Sequence, residues 1–81
     1  METKKREELL TTYDFVGEFS EGLAPARKED ESFHIRQDGT PAYEQRYSFV
    51  GIFGGGLAIA MKNNETFFIL PDGTRASQRL K

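Results

Sequence analysis

The 81-residue sequence contains no cysteine, and its single histidine is His34. The absence of cysteine excludes a disulfide framework and a thiolate metal site, so a chain of this length must hold together by core packing alone. One imidazole without a second histidine cannot form a conventional zinc site, and the sequence marks no nucleophile to act with it. We therefore expect no metal, no cofactor and no enzymatic activity, and we interpret His34 as a solvent-facing strand residue.

The sequence also lacks long apolar runs and clusters of basic residues. No segment approaches the ~20 apolar residues that a membrane helix needs, and residues 1–12 carry no apolar run of signal-peptide length. The net charge is −2 with both signs spread along the chain, whereas a nucleic-acid-binding face needs clustered basic side chains. These absences predict a cytoplasmic protein whose partner is neither a membrane nor a nucleic acid.

What the sequence does contain is an internal repeat. Residues 13–46 and 47–80 align at a constant offset of 34 positions without a gap, and 17 of the 34 positions are identical. A fixed period of this kind marks a repeat architecture, in which each unit buries its apolar face against its neighbours. We therefore predict one domain, residues 13–81, built from a first unit (13–46) and a second unit (47–81).

Four aromatic positions recur with the period, and we expect their rings to form stacked core layers. The four pairs are Tyr13/Tyr47, Phe15/Phe49, Phe19/Phe53 and Phe33/Phe67. The charge, by contrast, is not shared between the units. Residues 13–46 carry eight acids against four bases, and residues 47–80 carry two acids against three bases, so the first unit is strongly acidic and the second is slightly basic.

Within each unit the hydrophobic period is two. Large residues alternate with alanine in residues 57–61 (LAIAM), and residues 23–27 (LAPAR) repeat the scheme with a polar end. Alternation of this kind is typical of β-strands, and the polar stretches 29–31 and 63–65 predict hairpin loops between strands. The sequence therefore predicts an all-β fold in which two hairpin-type units form an antiparallel meander of about six strands. Whether this sheet stays open or curls into a barrel is left undecided.

Two further local features are predicted. Gly22 and Gly56 precede the Leu-Ala strand in both units, so we expect positive φ or a close neighbour at each. Residues 1–12 lie outside the repeat, and residues 4–10 are good helix formers. This segment is predicted to be a short N-terminal helix or an arm.

From Tyr13 onward, the phrase YDFVGEFSEGLAPAR resembles the bacterial WG repeat, whose unit runs from a tyrosine to a glycine, leucine and alanine ahead of a hydrophobic strand. Where that family has its Trp-Gly pair, this chain has Ser32-Phe33 and Thr66-Phe67. The chain thus resembles a divergent branch in which phenylalanine supplies the buried ring. The resemblance implies a binding scaffold without catalytic residues.

The differences between the units suggest an interaction surface. Five positions become apolar in the second unit: Ile52, Ile59, Met61, Phe68 and Leu70. Their counterparts in the first unit are Glu18, Pro25, Arg27, His34 and Arg36. A soluble monomer seldom exposes a contiguous apolar patch, so something should cover these side chains. The alternatives are residues 1–12 through Leu9 and Leu10, a second copy of the chain, a different protein, or a sheet that closes on itself and buries both faces.

Two functional hypotheses follow. The first is a non-enzymatic module for protein interaction or assembly, which binds a protein partner or a second copy of itself through the apolar residues of the second unit. The second is a small-ligand or glycan-binding domain that uses Tyr13, Tyr43 and Tyr47 with Arg46. The second hypothesis requires the three tyrosine rings to be exposed, so solvent exposure of the rings distinguishes the two.

Overall fold

The computed structural model describes residues 6–76 and confirms a mostly β chain. A four-residue helix, α1, spans Arg6–Leu9, within the segment for which a short helix is predicted. The strands are β1 (Phe15–Val16), β2 (Ala24–Lys28), β3 (Glu31–Ile35), β4 (Phe49–Val50), β5 (Ala58–Lys62) and β6 (Glu65–Ile69). Over the described range, no helix has the length and apolar character needed to span a bilayer.

Each unit forms one three-stranded antiparallel sheet, in the order β1-β2-β3 or β4-β5-β6. The two sheets have the same register, since Ala24 faces Ile35 in the first and Ala58 faces Ile69 in the second. Between the units, the backbones of Ser32 and Tyr47 exchange two hydrogen bonds of 2.8 and 3.0 Å. The result is a continuous meander that does not close into a barrel, so the idea of a self-closed sheet is wrong.

Two-residue turns connect β2 to β3 and β5 to β6, and each turn contains left-handed backbone conformations. Asn63 and Asn64, with φ of 54° and 68°, join β5 to β6, and asparagine tolerates this region well. Gly22 and Gly56 have φ of 85° and 83°, which confirms the prediction made for them. An added Cβ at either glycine would meet no atom within 4 Å, so the requirement comes from φ and not from crowding.

Most of the core lies on one face of the meander. Buried alanines alternate with more exposed side chains along β2 and β5, whereas the last four residues of β3 are all buried. In the first unit the buried side chains include Val16, Ala24, Ala26 and Phe33. In the second unit the equivalent valine and alanines are buried, and Phe67 is partly buried. The small alanines in the central strand leave room for the rings and branched side chains of the neighbouring strands to pack closely. Leu9 also enters this core, so α1 is fixed to the domain by its last residue.

One prediction about the aromatic pairs is wrong. Phe15 and Phe49 are both exposed, because each precedes a buried valine in its strand and successive residues of a strand point to opposite faces. The other three pairs do lie in or against the core. Recurrence with the period therefore identifies residues that the unit shares, but not the face on which they lie.

Candidate functional site

The outer face of the second sheet carries a row of large apolar side chains. Phe49 pairs with Met61 across β4 and β5, Ile59 pairs with Phe68 across β5 and β6, and Leu70 follows β6 on the same face as Phe68. These five side chains are between 37 and 51% exposed. We call them the apolar face: Phe49, Ile59, Met61, Phe68 and Leu70. Four of them are predicted surface residues, and Phe49 is an addition from the structure.

The fifth predicted residue, Ile52, is also exposed, but it follows β4 and takes no part in these cross-strand pairs. Leu10, one of the residues considered as a cover, is exposed as well, whereas Leu9 is buried. Within the part of the chain that the structure describes, the apolar face therefore remains open to solvent.

The same position in the first unit is covered. His34, the counterpart of Phe68, is 0% exposed, so its interpretation as a solvent-facing residue is wrong. The ring of Phe53 from the second unit lies on it, with the ring centroids 4.4 Å apart. We call the contact between the first unit and residues 47–56 of the second the unit junction. The strand alternation is as predicted, but the outer side of β3 is also a buried side.

Both ring nitrogens of His34 are hydrogen-bonded. Its Nε2 lies 2.7 Å from the carbonyl oxygen of Gly51, and its Nδ1 lies 2.6 Å from the hydroxyl of Tyr43. A carbonyl oxygen can only accept, so Nε2 carries the proton and the Tyr43 hydroxyl donates to Nδ1. Burial lowers the pKa of His34 against a smaller opposing effect of the Gly51 carbonyl, which favours this neutral form.

Two more polar contacts cross the unit junction. The Ser20 hydroxyl donates to the carbonyl oxygen of Phe53 at 2.8 Å. The carboxylate of Glu21 accepts the backbone N–H groups of Gly55 and Gly56 at 2.7 and 2.9 Å. Bonds to an ionised acceptor are stronger than neutral ones. Glu21 also has φ of 56°, a strained value for a residue with a Cβ.

In the second unit all three of these polar side chains are replaced. The counterparts of Ser20, Glu21 and His34 are Gly54, Gly55 and Phe68. The second unit therefore retains the strand geometry of the junction but has a phenyl ring in place of the imidazole and no side chain in place of the hydroxyl and the carboxylate. This exchange makes the outer side of the second unit apolar.

The residues of the ligand-binding hypothesis, Tyr13, Tyr43 and Tyr47 with Arg46, are not part of the apolar face, and the three tyrosines are buried. The hydroxyls of Tyr13 and Tyr47 donate to the carbonyl oxygens of Gly39 and Gly73 at 2.7 and 2.6 Å, and that of Tyr43 bonds His34. Burial raises the pKa of each tyrosine. The glycan hypothesis depends on exposed rings, and the rings at these three positions are buried. The hydroxyls of Tyr13 and Tyr47 instead link the start of each unit to the turn that follows its last strand.

The side chain of Arg46 also makes its contacts within the domain. Its guanidinium stacks 4.0 Å from the centre of the Phe33 ring, and that of Arg75 stacks 4.1 Å from Phe67. Arg46 and Arg75 are not repeat counterparts, since they stand 29 positions apart in a repeat of 34. Sequence alignment of the units could not show that two different positions supply the same cation to the same ring.

The acidic side chains and the histidine offer little support for a metal-binding or catalytic site. Among residues 6–76, no group of three acidic or histidine side chains is placed to hold a metal ion. Asp38 and Asp72 accept hydrogen bonds from the hydroxyls and N–H groups of Thr40 and Thr74, which lower the pKa of both carboxyls. The two aspartates occupy equivalent turns, so they have a structural role.

A shallow groove of about 210 Å³ lies beside the unit junction. Phe15, Pro25 and Arg27 line its first-unit side, and Ser48 and Phe49 line its second-unit side. Its two aromatic walls are the exposed pair Phe15 and Phe49. The sequence could have predicted that these two rings are exposed. Val16 and Val50 stand next to them, and only one of two adjacent strand residues can face the core.

Comparison with known proteins gives one match. Residues 4–31 match the family model described as "WG containing repeat", a range that runs from the N-terminal segment through β2 to the start of β3. No curated protein and no solved structure matches the chain. The family match confirms the resemblance seen from Tyr13 onward, and the second unit shares half of its positions with the first. The chain is therefore an all-β tandem repeat in which residues 4–31 match a WG repeat.

Proposed function

We propose that this chain is a non-enzymatic protein-interaction module, and that a protein partner covers its apolar face. The observation that supports this proposal is the contrast between equivalent positions. His34 is 0% exposed under the neighbouring unit, whereas Phe68 is 43% exposed on the second unit. A repeat protein buries each unit against a neighbour, so a bare outer side of this kind is suited to receiving one.

The composition of the apolar face supports the same function. Aromatic residues and methionine are enriched at the centre of protein interfaces, and both occur in the apolar face. Each such side chain is worth roughly 1.5–3 kcal/mol when it is fully removed from water. Two rings and three aliphatic or thioether side chains on one sheet face offer enough apolar surface to anchor a protein partner.

The proposal can be tested by selecting peptides from a random library on the wild-type chain. The variant Met61→Arg with Leu70→Arg serves for counter-selection, and it places on the second unit the residues that the first unit already has at these positions, Arg27 and Arg36. We expect selected peptides to be rich in apolar residues and to lose binding to this double variant.

The matched control is Gln37→Arg with Gln45→Arg, which adds the same charge at two exposed positions outside the apolar face. Peptide binding should survive in this control. The proposal is overturned if the library yields no binder. It is also overturned if every selected peptide binds the Met61/Leu70 double variant as well as it binds the wild type.

A further inference from the structure

We propose that the partner covering the apolar face is a second copy of this chain, docked head to tail, so that its first unit lies on the second unit of its neighbour. The unit junction supplies the geometry, because residues 47–56 already dock on the first unit within one chain. The corresponding segment of a second copy is residues 13–22. This inference rests on the proposed function and identifies its partner.

The exposed aromatic residues fit this arrangement. At the unit junction, Phe49 borders a groove whose other side includes Phe15 and Arg27. One period later, the receiving positions are Phe49 and Met61, which are both exposed and apolar. The residue that would border this second groove from the incoming copy is Phe15, and its ring is exposed. Head-to-tail docking thus brings the otherwise unexplained Phe15 beside Phe49 and Met61.

The charges favour head-to-tail docking over pairing of two second units. The first unit carries eight acids against four bases, and the second carries two acids against three bases. Asp14, Glu18 and Glu21 lie on the incoming segment 13–22. Docking of an acidic first unit on a slightly basic second unit is electrostatically complementary, whereas two second units would bring like net charges together.

The junction between copies differs from the internal one in a way that makes it reversible. The N–H of Tyr47 donates to Ser32, but the N–H of its counterpart Tyr13 already donates to the carbonyl oxygen of Leu9 at 3.0 Å. The polar groups of Ser20 and Glu21 also have no counterpart in the second unit. The contact between copies is therefore made by apolar side chains, and we expect it to depend on concentration.

Sedimentation equilibrium on the intact chain, with two complementary variants, tests the arrangement. Phe15→Arg blocks the incoming face without replacing any residue of the apolar face, whereas Met61→Arg with Leu70→Arg blocks the apolar face without replacing any residue of the incoming segment. All three substituted residues are exposed, so circular dichroism should show that both variants remain folded. The control with arginine at Gln37 and Gln45 should associate like the wild type.

Because the two docking surfaces differ, wild-type association is open-ended, and its mean mass should rise beyond that of a dimer. Each blocked variant should sediment as a monomer, and an equimolar mixture of the two should form heterodimers and nothing larger. A wild type that stays monomeric at every concentration overturns the second-copy proposal, while the peptide selection still decides the proposed function. Retained self-association of Phe15→Arg would show that two apolar faces meet each other, which also overturns it.

Discussion

At the scale of single residues, equivalent positions in the two units have different environments, and His34 and Phe68 are the clearest case. Replacing His34 by phenylalanine introduces a residue that the repeat accepts in its other unit. It also removes the partners of two groups at the unit junction, the hydroxyl of Tyr43 and the carbonyl of Gly51. Each buried polar group left unpaired costs about 1–3 kcal/mol.

We therefore expect His34→Phe to lower the free energy of unfolding by at least ~2 kcal/mol, measured by urea denaturation. The reciprocal change, Phe68→His, places an imidazole on an exposed position and should alter stability by less than ~1 kcal/mol. Similar losses in the two variants would mean that the hydrogen bonds of His34 contribute little.

Titration of His34 should also make the stability of the fold depend on pH. Burial lowers its pKa in the folded chain relative to the ordinary value of 6.5, so the unfolded chain binds the proton more readily. The free energy of unfolding is therefore highest above pH 6.5 and falls as the pH drops through that value toward the lowered folded pKa. Titration of Asp38 and Asp72 affects stability only at lower pH, because hydrogen bonds lower the pKa of both carboxyls below 3.8.

Denaturant unfolding at a series of pH values between about 7.5 and 5.5 measures this slope. The wild type should lose stability across the range, and His34→Phe should show a flatter profile. Phe68→His in the wild-type background is the control, since its exposed imidazole should add no comparable slope. An equal slope in wild type and His34→Phe would assign the dependence to another group.

At the scale of the elements, the tight turns decide how β1 and β4 reach their partner strands. Gly54, Gly55 and Gly56 form one run, but only the last two have positive φ. Because none of the three has an atom within 4 Å of an added Cβ, the run separates the effect of backbone conformation from that of crowding.

Gly56→Ala should cost ~1 kcal/mol or more, since alanine is strained at φ of 83°. Gly54→Ala should be neutral or slightly stabilising, because alanine loses less conformational entropy on folding. Thermal unfolding of the two variants side by side measures the difference. Equal destabilisation would indicate that the whole run needs glycine.

At the scale of the whole molecule, the two units depend on each other through the unit junction. Phe53 is 1% exposed because it packs against His34 of the first unit, whereas its counterpart Phe19 is only half-buried. Phe53→Ala should therefore cost about 3 kcal/mol or more, and Phe19→Ala should cost less.

Amide hydrogen exchange measures whether the stability lost in Phe53→Ala is lost from both units. Since the junction couples the units, Phe53→Ala should accelerate exchange in β2 and β3 of the first unit as well as in β5 and β6. Exchange that quickens in the second unit alone would show two independently folding units, contrary to a repeat in which neighbours stabilise each other.

The sequence by itself determined the architecture, because a 34-residue period, an alternation of two and turn residues such as Asn63-Asn64 are local signals. They were enough to predict two antiparallel units, the positive φ at Gly22 and Gly56, and a set of apolar positions that differ between the units. Each of these features depends on a residue and its near neighbours in the chain.

Only the tertiary structure decided which faces are covered, because burial depends on contacts between residues far apart in sequence. His34 is buried by Phe53 and Gly51 of the other unit, the tyrosines are buried against remote turns, and Phe15 is left in solvent. Two arginines that are not repeat counterparts cover equivalent rings for the same reason. The period specifies a unit, whereas the exposure of each side chain depends on what packs beside that unit.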